Sequence, residues 1–300
     1  MCACVLLYSL NTMAQQLPHY SQYILNDFVM NPAIAGKNKF IEGKSNTRYQ
    51  WVGITDAPRT HIFSVNAPIS KQNMGVGAYV FTDVAGPTRR IGFTGAYAYH
   101  MKLNEKVKVS LGLSAGLLQY AMDGSKLNLY DSGDQALANT YQSDVIMDLG
   151  FGAYVYSDKY FFGAAAPQIA PNQIKFLNYT MDSRLATHFF LIGGYKFDIT
   201  DNVQLEPTIA VKFVNPAPVQ VDIGARLHYQ KKVWLGLAYR TMDAACLLLG
   251  YTHKENLTIG YSYDYTLSNL GNYNSGTHEV FFAVKFYQAK NKVAVAATAE

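Results

Sequence analysis

The chain has 300 residues, of which 15% are charged and 14% aromatic, with 23 tyrosines. Soluble domains carry ~25% charged residues, so this chain has too little charge to coat a water-facing surface. Its formal net charge of +4 is spread along the sequence without a basic run, which removes nucleic acid as a partner. No apolar run reaches the ~18 residues that a membrane-spanning helix needs. A tyrosine-rich β-sandwich and a barrel with apolar side chains turned to lipid remain.

From the N-terminus, Val5–Leu10 forms a short apolar stretch, and Thr12-Met13-Ala14 supplies small residues ahead of Gln15. Residues 1–14 therefore read as a signal peptide. Cys2 and Cys4 leave with it, so Cys246 stands alone and no intramolecular disulfide forms; its neighbours Ala245, Leu247 and Leu248 mark it as a packing residue. Residues 15–39 are too short and broken for a domain. Asn31-Pro32 favours a turn and Gly36 ends a short helical piece. This segment is either a plug that folds into a barrel mouth or a flexible periplasmic leader.

From residue 40 to 287 the controlling signal is a period of two with turn punctuation. Leu257, Ile259, Tyr261, Tyr263 and Tyr265 share one face, and Thr258, Gly260, Ser262 and Asp264 the other. Val203 to Phe213 repeats this, as do Val219 to Tyr229 and Ile91 to Leu103. A helix would wrap such a pattern around its whole circumference. Strands are predicted at 40–51, 59–69, 73–84, 88–103, 106–122, 145–158, 160–167, 184–199, 203–215, 219–230, 232–241, 243–254, 257–268 and 277–287, about fourteen in all, with Pro167 and Pro207 weakening two of them. The three longest joints, Met122–Asp144, Gln168–Ser183 and Asn269–Gly276, all follow odd-numbered strands, and every even-to-odd joint is short. Sorting of this kind predicts an all-β protein, a transmembrane antiparallel β-barrel with periplasmic termini in a bacterial outer membrane, its outer face against lipid. Residues 288–300 form a polar, alanine-rich tail.

The inward-facing ionisable residues Asp148, Glu206, Lys212, Asp222, Arg226, Arg240 and Asp264 carry both signs, which predicts mutual pairing across a polar lumen rather than a selective pore. Gln50-Trp51 with Ala57-Pro58-Arg59-Thr60 spans the first outer loop, where it either meets exported cargo or supplies a girdle tryptophan and a tight turn. His278-Glu279 lacks the second histidine of a zinc protease and opens a strand. The seven histidines form no metal-ligand spacing, and a serine near His188 or His228 is the sole arrangement of the barrel-lipase kind. The chain is read as non-enzymatic, without metal or cofactor.

Several stretches resemble the PorP/SprF family of outer-membrane proteins linked to type IX secretion in Bacteroidota. They are Ser21-Gln22-Tyr23 with Asn26 and Asn31-Pro32-Ala33-Ile34-Ala35-Gly36; Gln50-Trp51-Val52-Gly53 with Ala57-Pro58-Arg59-Thr60; and Asp83 with Gly86-Pro87-Thr88 and Gly95-Ala96-Tyr97-Ala98-Tyr99-His100. Asp148-Leu149-Gly150-Phe151-Gly152, Gly260-Tyr261-Ser262-Tyr263-Asp264 and Gly276-Thr277-His278-Glu279 complete the series. The resemblance runs from Gln15 to Phe286. It implies a barrel similar to long-chain fatty-acid transporters, whose N-terminal hatch also carries an Asn-Pro-Ala element. It also implies a role in exporting or anchoring a large secreted protein such as a gliding adhesin, with the type IX machinery or that protein as partner. On this reading the plug and partner-binding candidates are Ser21, Gln22, Tyr23, Asn31, Pro32, Gly36, Gln50, Trp51, Pro58 and Arg59. A porin or hydrophobic-solute transporter is the alternative.

Overall fold

Period-two alternation gives a strand one apolar and one polar face. In the computed structural model, which describes residues 20–69, 73–126, 141–170, 186–215 and 217–286, the alternating stretches are antiparallel strands. The leader and the C-terminal tail lie outside the described residues. In chain order the strands are β1 (Ile41–Tyr49), β2 (Arg59–Ile69), β3 (Met74–Ala85), β4 (Thr88–Lys102), β5 (Lys108–Asp123), β6 (Tyr141–Tyr156), β7 (Tyr160–Ala166), β8 (His188–Tyr195), β9 (Phe197–Thr200), β10 (Val203–Val214), β11 (Gln220–Tyr229), β12 (Val233–Arg240), β13 (Ala244–His253), β14 (Leu257–Thr266) and β15 (Thr277–Phe286). Each pairs with its chain neighbour, and β15 returns to pair with β1 from Ile41↔Phe286 to Tyr49↔His278. The sheet closes on itself and leaves no edge, the condition for a sheet to cross hydrocarbon.

β8 and β9 are two halves of one crossing, so the barrel has fourteen. The predicted single strand at 184–199 is interrupted at Lys196, and Pro207 supplies the reason. β10 pairs with β8 from Thr208 onward and with β9 up to Leu205. Between them Pro207 has no N–H to give, and the neighbouring strand breaks where that donor is missing. On its other side Pro207 stays in register opposite Ala225. Pro167 acts as expected, since β7 stops at Ala166.

Faces are inverted relative to a soluble protein. Leu237, Phe93, Leu113 and Tyr265 stand more than half exposed on the outside, in a continuous apolar belt. Inside, Ser64, Ser110, Ser262 and Glu279 are fully covered, and Arg48, Arg240 and Asp264 nearly so. β5 and β6 run 16 residues each, ample for a tilted strand that needs ~9–11 to span a bilayer. No helix among the described residues is long and apolar enough to cross a membrane. Cys246 is buried and faces inward beside Trp234 and Leu248.

The connections differ by end. One end has tight turns such as Ser157–Lys159 and Lys254–Asn256; Gln230, Lys231, Lys254 and Glu255 there take the positive φ of primed hairpin turns. The opposite end carries the joints after β1, β5, β7 and β14, together with three shorter ones at Gly86-Pro87, between Val214 and Gln220, and at 241–243. These are termed the turn end and the loop end.

Candidate functional site: a segment clasped inside the barrel

Residues 20–36 bond to strands on opposite sides of the ring, which places them inside it. The local shape follows from the sequence. Asn31 precedes proline and is extended, with φ −148° and ψ 113°. Its side-chain oxygen accepts the Ala33 N–H at 2.9 Å, capping a 3-10 turn (Pro32–Ile34) that begins on proline. A single helical turn, α1 (Asp27–Met30), precedes it, and Gly36 leaves at φ +67°. An irregular backbone has no ladder of its own, so its polar groups must find partners in the wall. Asn31 donates to the carbonyls of Ala153 and Ala164 at 3.0 and 3.2 Å. Ser110 donates to Ala33 O at 2.7 Å, and His100 Nε2 to Ala35 O at 2.8 Å. Asn26 is held by Ser64 and Asn46 at 2.9 Å each.

Nearer the loop end, charge replaces amide bonding. Glu279 accepts the N–H groups of Ser21 and Gln22 at 2.8 and 3.2 Å, and Gln22 Nε2 donates to the Glu279 carbonyl at 3.2 Å. The Ser21 hydroxyl donates to Asp264 and accepts from Arg48 and Arg240, each at 3.0 Å. Arg48 lies 2.8 Å from Asp264 and 3.2 Å from Glu279. Arg240 bridges Asp264, Asp243 and Asp222, and Lys212 reaches Asp222 at 2.9 Å. Three cations and four carboxylates thus form one buried network with Ser21 at its centre. The expected pairing of Lys212, Asp222, Arg240 and Asp264 is present, and Arg226 pairs with Glu206 at 2.8 Å. Asp148 has an inward position but forms none of these ion pairs. On α1, burial pushes Asp27 upward, but the Lys37 and Lys44 ammonium groups, 2.6 and 3.4 Å away, outweigh it and hold the carboxyl below the usual aspartate range.

Close approach depends on glycine at several wall positions, Gly75, Gly112 and Gly152 among them. A Cβ on Gly112 would meet Ala33 N at 2.3 Å, and one on Gly152 would meet Asn31 Oδ1 at 2.0 Å. The Ala33 backbone at that distance cannot step aside. Gly112→Val is therefore expected to unseat the Asn31–Gly36 turn while leaving the outer belt intact. Limited proteolysis of the folded barrel checks this, with new cleavage between residues 20 and 36 in the variant alone.

The segment divides the lumen. A loop-end cavity of about 350 Å³ is lined by Met30, Trp51, Phe190, Phe213 and Gln220, among others. A turn-end cavity of about 900 Å³ lies beyond Asp27. Met30 and Asp27 are the two ends of α1, so one helical turn is the partition.

The expected site residues fall into two groups. Ser21, Gln22, Tyr23, Asn31, Pro32 and Gly36 belong to the lumenal segment. Gln50 and Trp51 line the loop-end cavity, which places Trp51 at the mouth rather than in a lipid-facing girdle. Pro58 accepts the Gln50 N–H at 2.9 Å and closes the loop, and Arg59 points to solvent. Arg48, Asn46 and the grip of Glu279 are additions to the sequence reading, although alternation over Glu42, Lys44, Asn46 and Arg48 already puts them on one polar face. His278 faces outward and bonds Tyr261 at 2.6 Å, while Glu279 faces inward, so the adjacent pair is no dyad. His228 is engaged by Glu206 at 3.0 Å and His188 donates to the Ala186 carbonyl at 2.9 Å. No cluster of three metal-binding side chains occurs among the described residues.

A closed ring of fourteen crossings, apolar outside and ionic within, defines a transmembrane β-barrel of the outer-membrane class. The chain belongs to the PorP/SprF family: the model for "Type IX secretion system membrane protein PorP/SprF" matches residues 12–284. Stretches that carry the resemblance meet the lumenal segment at two levels: His100 and Gly152 against the Asn31–Gly36 turn, and Asp264 and Glu279 against Ser21. Among solved structures the fold is similar to the Ralstonia pickettii toluene transporter TbuX (TM-score 0.50, 10% identity, covering 87% of this chain and 92% of that one). It is also similar to the CymD monoaromatic hydrocarbon channel (TM-score 0.50, 10% identity, 87% and 91%). No curated protein matches the chain. Family membership associates the protein with the type IX secretion machinery of the outer membrane.

Proposed function

We propose that the protein is a non-enzymatic, plugged barrel that helps to export or anchor a large surface protein, such as a gliding adhesin, through type IX secretion. Residues 20–36 act as the plug. The loop end faces the exterior and the turn end, where β15 finishes at Phe286, faces the periplasm. The observation that carries this reading is the partitioned lumen: two blind cavities backed by a fixed segment suit holding a partner better than passing solute. Ser21 lies level with the last residues of β12 and β14, so the segment descends from the loop half and leaves at the turn end. Residues ahead of Tyr20 lie outside the described residues.

The test is affinity purification of a tagged copy from native outer membranes in mild detergent, with partners identified by mass spectrometry. Recovery of a large secreted protein or of type IX components is expected. Recovery of the folded barrel alone, in good yield, would move the assignment to a hydrophobic-solute transporter. The apolar walls of the loop-end cavity and the likeness to a toluene transporter and a monoaromatic hydrocarbon channel support that second reading.

A further inference from the structure

The turn-end cavity carries a charge excess that the plug does not use. Of its cations, Lys37 and Lys44 are taken up by Asp27 and Glu42, and Arg226 by Glu206. Lys39, Lys108, Lys196, Lys231 and Lys285 also line it, against the single further carboxylate Asp158, and none of these lysines has a carboxylate within ion-pair distance among the described residues. They come from the chain ahead of β1, the start of β5, the break between β8 and β9, the turn after β11 and the end of β15, so they surround the mouth from all sides. Two are held in place by rings rather than acids: Lys108 Nζ sits 5.9 Å from the Tyr156 ring centroid, and Lys285 Nζ 5.2 Å from that of Phe40. Lys108, Lys196 and Lys285 are half-buried. A recess with an excess of one sign of charge and low-dielectric walls concentrates its field and draws in the opposite charge.

We infer that this recess is a docking cup for an acidic polypeptide segment presented at the turn end. Because the plug closes its far side, the cup captures rather than conducts. About 900 Å³ admits a few extended residues and not a folded domain, and a site recessed in the lumen is out of reach of bilayer headgroups. The inference is independent of the export reading and of which end faces the periplasm.

The experiment uses the full chain purified in detergent, with fluorescein-labelled hexaglutamate and hexaglutamine peptides and anisotropy as the readout. Hexaglutamate is expected to bind and hexaglutamine not, with affinity falling as salt is raised. Lys108→Gln/Lys196→Gln/Lys285→Gln should weaken binding by roughly tenfold or more, whereas the same three changed to Arg should retain it. Lys106→Gln/Lys232→Gln/Lys254→Gln, on exposed turns of the same end, should leave it unchanged. Heat-modifiable migration confirms that each variant is folded. Equal binding of both peptides, equal loss in the two glutamine variants, or preferential capture of phosphatidylglycerol nanodiscs over hexaglutamate would each overturn the assignment.

Discussion

Arg48→Ala will lower the unfolding stability of the barrel by about 3–5 kcal/mol, the cost of leaving a buried partner charge uncompensated. Arg48 is 2% exposed and touches Asp264, Glu279 and the Ser21 hydroxyl. Its removal strands two carboxylates in a space that water enters poorly. Arg240 still holds Asp264 at 3.3 Å, but Glu279 keeps only Asn46 and two backbone N–H groups. Glu279→Ala should therefore cost a comparable amount, and the double variant less than the sum, because one lost charge removes the reason for the other. Arg59→Ala, on the exposed face, should stay within about 0.5 kcal/mol of the parent. Urea unfolding of barrels reconstituted in vesicles measures all four. Additive losses for Arg48 and Glu279 would mean that the network is not one unit.

Deleting residues 15–36 will turn a tight barrel into an open one. The intact protein is expected to show little conductance in a planar bilayer, and the deleted form a steady current roughly an order of magnitude larger, since a polar lumen without its filling is a water channel. The deletion also removes the Ser21 and Gln22 bonds of Glu279, Asp264 and Arg48, so folding must be checked by heat-modifiable migration. Gly112→Val supplies a second route to the same state, because it keeps every charge and only denies the turn its seat. Conductance unchanged in both would remove the plug from the proposed function.

Strand positions were legible because lipid and lumen impose opposite demands on alternate residues, as Leu257–Tyr265 illustrates. The end-sorting of loops was legible for the same reason that it exists: only one end must turn tightly. The break at Lys196 was not, since Tyr195 and Phe197 keep the outward alternation on either side of it. Its cause, Pro207, was visible, but the consequence falls on the neighbouring strand. The clasp was half legible. Alternation puts Arg48, Asp264 and Glu279 inside, yet their meeting at Ser21 depends on β15 closing against β1, a pairing that local pattern does not encode. Inward glycines were visible as small residues; that Gly112 and Gly152 receive backbone and an asparagine side chain was not.

Glu279 lies on the last strand and grips residues 258 and 257 positions earlier in the chain. The same strand supplies the pairing that seals the ring. Sealing the wall and fixing what lies within it are thus a single late event. Contacts so distant in sequence form slowly, so the N-terminal residues must already be gathered inside an unfinished sheet when the final strand arrives. A chain whose leading segment lagged behind would close around an empty lumen, with the carboxylate of Glu279 short of its two backbone donors, and the order of assembly would be written into its stability.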